Sequence, residues 1–128
     1  MERIVKMELF GQEYYLAYNG AAMFALMEGG GEAREIIEKI TAGNAEAFDA
    51  LVRSTAVMSV QGNLVRRYMG HPQGPTLTET ELRVRLYPED TIILMQQVIK
   101  AMTLGMQREI PEEGDVDLGL RELEKKTN

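Results

Sequence analysis

Side chains able to do chemistry are few in this sequence, and their spacing is more telling than their number. His71 is the only histidine and cysteine is absent. A transition-metal site would therefore rest on one imidazole and carboxylates, without the thiolates or clustered imidazoles that zinc sites use. The run Glu112, Glu113, Asp115 and Asp117 offers oxygen ligands. It lacks the regular ligand spacing and distal bidentate Glu of a calcium loop, and reads as a solvated acidic tail. Gly29, Gly30 and Gly31 are not followed by Gly-Lys-Ser/Thr and come after a helical pattern, so they read as a helix stop and not a phosphate cradle. Ser54 and Ser59 have no nucleophile-elbow glycines around them, and the lone histidine would have to serve either one as base. Glu79 and Glu81 stand two apart on a helical pattern and diverge, a poor geometry for paired acid and base work. The expectation is a protein that is not an enzyme, with no catalytic, cofactor-binding or metal-ligating residues and no cofactor.

The nine methionines carry a different signal, because Met is flexible and polarizable and is used where one surface meets varied partners. Ile92, Met95, Ile99, Met102 and Met106 recur at alternating spacings of three and four. This seam suits packing within the monomer or against another chain, a homo-oligomer included. Met95, Ile99, Met102 and Met106 are the candidate partner-binding residues.

The elements that would position these groups follow from periodicity and caps. Taking Gly11 and Gln12 as a type II′ loop pairs Leu9 with Tyr14, Met7 with Leu16 and Val5 with Tyr18, and places Lys6 and Glu8 on the other face. A hairpin over about 3–18 results, and its apolar face needs cover. Asn19 is a good N-cap, with Tyr18 and Met23 at staple positions, for a helix over about 20–28. Ala33, Ile36, Ile37 and Ile40 make one buried stripe of a helix over 32–41. Asn44 caps a third helix over 45–69, facing inward with Phe48, Leu51, Val52, Thr55 and Ala56. Past Gly62, which either breaks or bends it, the pattern resumes with Leu64, Val65, Tyr68 and Met69. After the loop "GHPQGPTLT", Thr78 with Glu81 forms a capping box and Leu77 with Leu82 a staple for a helix over 79–86. Pro88 opens a fifth over 88–108, with Glu89 and Asp90 at the positive end of its dipole.

The fold class expected is therefore mainly α with an N-terminal β-hairpin (α+β), about five helices in a compact single-domain bundle packed on the hairpin. Residues 1–110 form the globular domain and 111–128 an acidic C-terminal tail, helical at most over 118–126. A chain of 128 residues is long enough for one ordinary core without disulfides. The formal net charge of −6 weakens any reading built on phosphate neutralisation, so no nucleic-acid partner is expected. The start has a strand-like pattern unlike a signal peptide, and no apolar run approaches membrane-span length, so no membrane partner is expected and a cytoplasmic location is.

Taken as a layout, the chain resembles the tail assembly chaperones of long-tailed bacteriophages and prophages. The likeness runs over about residues 4–108: a hairpin ending in "YYLAY", the helix "GAAMFALMEGGG", the central stretch "AFDALVRSTAVMSV", then "LTETELRVRL" before a long last helix. The resemblance implies a non-enzymatic helper that coats the tape measure protein, brings tail tube subunits to it, works in the bacterial host cytoplasm and is absent from the mature virion. It carries over no individual functional residue. Such chaperones are often also made in a longer, frameshifted form. Glu124, Lys125 and Lys126 fit a slippery run of adenines, which uninterrupted adenine codons and an overlapping downstream frame would support. Two other classes are open to this sequence: a structural head-to-tail connector or tail completion protein, and a small nucleic-acid-binding regulator using Arg66, Arg67, Arg83 and Arg85.

Overall fold

Alternation of apolar and polar residues makes the first two elements a hairpin, with β1 at Ile4–Leu9 and β2 at Gln12–Ala17 paired antiparallel. The architecture is known from a computed structural model, which describes residues 3–107. The expected tail over 111–128, its helix over 118–126 and Glu124 to Lys126 lie outside the described residues.

The hairpin register differs from the one expected. The loop is Phe10-Gly11, so Leu9 faces Gln12, Met7 faces Tyr14 and Val5 faces Leu16. Phe10 has φ 54° and Gly11 φ 74°, positive at both central positions as a type I′ turn requires. The shift is two residues, and because side chains alternate with period two, the division into faces survives it. Val5, Met7, Leu9, Tyr14 and Leu16 are all buried. A left-handed phenylalanine costs on the order of 1–2 kcal/mol. Its ring packs against the core, and the Arg85 guanidinium lies over it at 4.1 Å, which offsets part of that cost.

Five helices follow, giving a mainly helical α+β fold: α1 at Gly20–Met27, α2 at Ala33–Thr41, α3 at Ala45–Tyr68, α4 at Glu79–Arg85 and α5 at Pro88–Met106. Their starts are local events. Asn19 Oδ1 accepts from the Ala22 amide at 3.0 Å, Asn44 Oδ1 from Ala47 at 3.0 Å, and Thr78 Oγ1 from Glu81 at 3.1 Å. The expected capping box at Thr78 is only half formed, because the Glu81 carboxylate pairs with Arg85 at 3.1 Å instead. Pro88 occupies the first turn of α5, where its missing amide costs nothing, and Asp90 Oδ2 accepts from the Tyr87 amide at 3.0 Å.

The long helix α3 runs unbroken through Gly62. That glycine is a contact, not a break: a β-carbon there would stand 2.0 Å from the carbonyl oxygen of Tyr15, so α3 lies directly on the backbone of β2. At its other end the Gly70 amide donates to Arg67 O and the His71 amide to Arg66 O, which completes a Schellman stop. Helix α5 packs on β1 as α3 does on β2, and α2 bridges α3 and α5. One hydrophobic cluster joins the inner face of the hairpin to all five helices.

The inward face of α3 is as expected in its first half, with Leu51, Val52 and Thr55 buried and Phe48 and Ala56 half-buried. Its second half corrects the expectation. Met58, Ser59, Gly62 and Asn63 point inward, while Leu64, Tyr68 and Met69 are exposed. The helix holds its phase, and the inner positions are small or polar because they meet a strand backbone and a loop. Ser59 Oγ accepts from the Leu77 amide at 3.0 Å and Asn63 Oδ1 from the Gly74 amide at 2.7 Å, which fastens the "GHPQGPT" loop along α3.

Candidate interaction surface

Helix α1 has no charged residue in its sequence GAAMFALM. A helix apolar all round is ordinarily buried on every side. Here only Ala22 and Leu26 are buried, Met23 is half-buried, and Phe24 stands 65% exposed with Met27 also out. Two contacts hold α1 antiparallel along α3: Asn19 Nδ2 donates to Gln61 Oε1 at 3.0 Å at one end, and Arg53 donates to the carbonyls of Ala25 and Glu28 at the other. Arg53 thereby satisfies carbonyls that the end of the helix leaves free, where a cation is favoured.

From the level of Asn19 onward, past the start of α1, the outer side of α3 carries Val60, Leu64 and Tyr68 at successive spacings of four, which makes them one row on the helix. All three are exposed, and Tyr68 is 93% so. Phe24 and Tyr68 together leave on the order of 300 Å² of aromatic side chain in water, taking about 200 Å² per ring. The exposed apolar side chains are thus an uncharged helix along the first part of α3 and an aliphatic and aromatic row that continues along α3 past its start.

The residues proposed from the α5 seam are placed differently from one another. Met102 is fully buried and Ile92 is exposed, because the inward stripe of α5 is Leu94, Val98, Ala101 and Met102. Met95 and Ile99 are half-buried. Met106 is exposed and lines an apolar groove of about 460 Å³ together with Met23, Val65 and Tyr18. Of the four candidates, Met102 has no surface to offer a partner, and Met106 has the most. The inward set differs from the Ile92-to-Met106 seam because apolar residues run nearly all round α5, so spacing alone does not select it. For the α1 surface a usable signal did exist: an eight-residue segment without one charge.

A second cleft, of about 370 Å³, opens beside the C-terminal end of α1 and is lined by Lys39, Glu46, Asp49, Arg53 and Ser54 among others. Three of these charged groups are committed to the fold. Lys39 Nζ donates to Gly30 O at 3.1 Å, Arg53 holds the end of α1, and Asp49 pairs with Arg83 at 2.8 Å. Ser59 is tied to the loop at Leu77, and among the described residues no three His, Asp or Glu side chains gather as a metal site would need.

The four arginines are not brought together as a basic spot. Arg66 stacks on the Tyr15 ring at 3.7 Å, whereas Arg83 sits at Asp49 near the other end of α3, roughly 25 Å away at about 1.5 Å per residue. Arg85 is held by Glu81 and Phe10.

Among ionisable groups, Tyr14 and Tyr18 are held above the usual tyrosine range. Burial is the main cause for both, with the nearby charge of Glu81 adding to it for Tyr14 and that of Glu32 for Tyr18. Lys6 is raised by its hydrogen bond and ion pair with Glu13, at 3.2 Å. None of these groups faces another in an acid and base arrangement. Among the described residues no helix is long and apolar enough to cross a membrane. The sequence matches no family model and no curated protein, and the fold matches no solved structure.

Proposed function

We propose that this chain is a tail assembly chaperone of a long-tailed bacteriophage or prophage, one that binds the tape measure protein and recruits tail tube subunits without making or breaking a covalent bond. The observation that carries the reading is the uncharged helix α1, with Phe24 outward, together with the exposed row Val60, Leu64 and Tyr68 on α3. Such a face suits an amphipathic helix of another polypeptide, which would bury its own apolar stripe against these side chains. Keeping long apolar helices apart until tube subunits arrive requires a shield of this kind on a charged carrier, and the net charge of −6 keeps the carrier dispersed. The work belongs in the host cytoplasm, with the protein leaving before the virion is complete.

Co-expression with a tape measure protein, whose helices are long and apolar, tests this. Solubility of that protein should rise with the wild-type chain and fall back with a Phe24→Ser, Tyr68→Ser double variant. No rescue by the wild type would overturn the proposal, and finding the chain in purified virions would point to a structural component instead.

A further inference from the structure

The apolar groove lies where the start of β1, the end of β2, the first turn of α1 and the last turn of α5 converge. Gly105 and Met106, the last residues but one and last of α5, are part of its wall, so the chain leaves the helix at the groove's mouth. The approach is close: a β-carbon on Gly105 would meet the Tyr18 carbonyl oxygen at 2.1 Å. Arg3 is the one charged residue lining the groove among those described.

We propose that this groove is the seat of the chain's own C-terminal segment, residues 108–128, with Val116, Leu120 and Leu123 as the side chains that fill it. Leu120 and Leu123 stand three apart within the stretch expected to be helical, 118–126, which places them on one face there, and Val116 lies just ahead of it. Between Arg108 and Arg121 the segment carries Glu109, Glu112, Glu113, Asp115 and Asp117 and no base, a charge complementary to Arg3. Reach is ample, since at about 3.3 Å per residue the stretch from Gln107 to Val116 spans up to about 30 Å. The volume fits too: removing one leucine side chain from a core leaves about 150 Å³, so about 460 Å³ accommodates roughly three aliphatic side chains. Tethering gives the segment a local concentration on the order of millimolar, which a free competitor has to exceed. The groove thus carries a built-in occupant, and any partner that uses it must displace the segment first.

The absence of cysteine makes Glu122→Cys a unique attachment point for a spin label in the full chain. Methyl signals of Ile4, Met23 and Val65 should broaden several-fold more than those of Leu51 and Leu82. The contrast should vanish when Val116→Asp, Leu120→Asp and Leu123→Asp are added. Broadening that is absent, or spread evenly over all methyls, overturns the proposal. So does selective broadening on an isotope-labelled chain when only an unlabelled neighbour carries the spin label, because the occupant would then be a second copy. The readout does not involve the tape measure protein, so it stands or falls separately from the chaperone function.

Discussion

Gly62 of α3 and Tyr15 of β2 are packed backbone to backbone, with room for no more than a hydrogen between the α-carbon of one and the carbonyl of the other. An alanine in a helix interior ordinarily gains about 1 kcal/mol over glycine. At this position the added methyl group would fall 2.0 Å from Tyr15 O and 2.4 Å from its carbonyl carbon, both backbone atoms that cannot swing aside. Gly62→Ala is therefore expected to reverse the usual sign and cost about 2 kcal/mol or more, as overpacked sites do. Gly20→Ala, where nothing lies within 4 Å, should be neutral or mildly stabilising. Urea midpoints of the two variants check the contrast; equal effects would refute the close packing of α3 on β2.

Surface and core roles separate among the apolar residues. Tyr68→Ser and Phe24→Ser, at exposed positions, should shift stability by no more than about 0.5 kcal/mol while weakening capture of a partner helix. Met102→Ala removes a fully buried side chain and should cost about 2–5 kcal/mol. Thermal unfolding beside co-purification distinguishes the cases, and a large loss of stability in Tyr68→Ser would contradict its placement.

Ser59 is the hinge pin of the loop before α4. Its hydroxyl accepts from the buried Leu77 amide, and Ser59→Ala leaves that donor unpaired at a cost of about 1–3 kcal/mol. Amide exchange at Leu77 should quicken more than at Leu82 in the same variant. Unchanged exchange at Leu77 would mean that the hydroxyl does not hold the loop.

Alkaline pH should destabilise the fold. The Tyr14 and Tyr18 phenols bind their protons more tightly folded than unfolded. Their contribution is complete below the unfolded value near 10.0 and is lost as pH rises through the higher folded value. Stability should therefore hold up to about pH 9 as far as these groups decide it, and decline above about pH 10. Tyr14→Phe removes one titrating group and should flatten that decline, although it also removes the hydrogen bond to Gln12 Oε1. Urea midpoints from pH 8 to 11 for both proteins test the slope, and a steeper fall in Tyr14→Phe would reject it.

Much of this fold was written locally. The caps at Asn19, Asn44 and Thr78, the helix-opening Pro88 and the two-faced hairpin each depend on residues within a few positions of one another, and sequence order alone brings those together. Even the misplaced turn kept the faces right, since a shift of two leaves an alternating pattern unchanged.

Tertiary structure decided the phase of the two long helices and, with it, the surface. Apolar content favoured Leu64, Tyr68 and Met69 as the inner side of α3. Yet the inner side had to be Ser59, Gly62 and Asn63, because it meets a strand backbone that tolerates no β-carbon and a loop whose amides need acceptors. Those demands come from residues distant in sequence, and they turned the aliphatic and aromatic row outward. In α5, with apolar residues nearly all round, only its packing on β1 and α3 selected Leu94, Val98, Ala101 and Met102 for the interior. Periodicity states that a helix has a greasy side; which side faces water is settled by the shape of what the helix lies against.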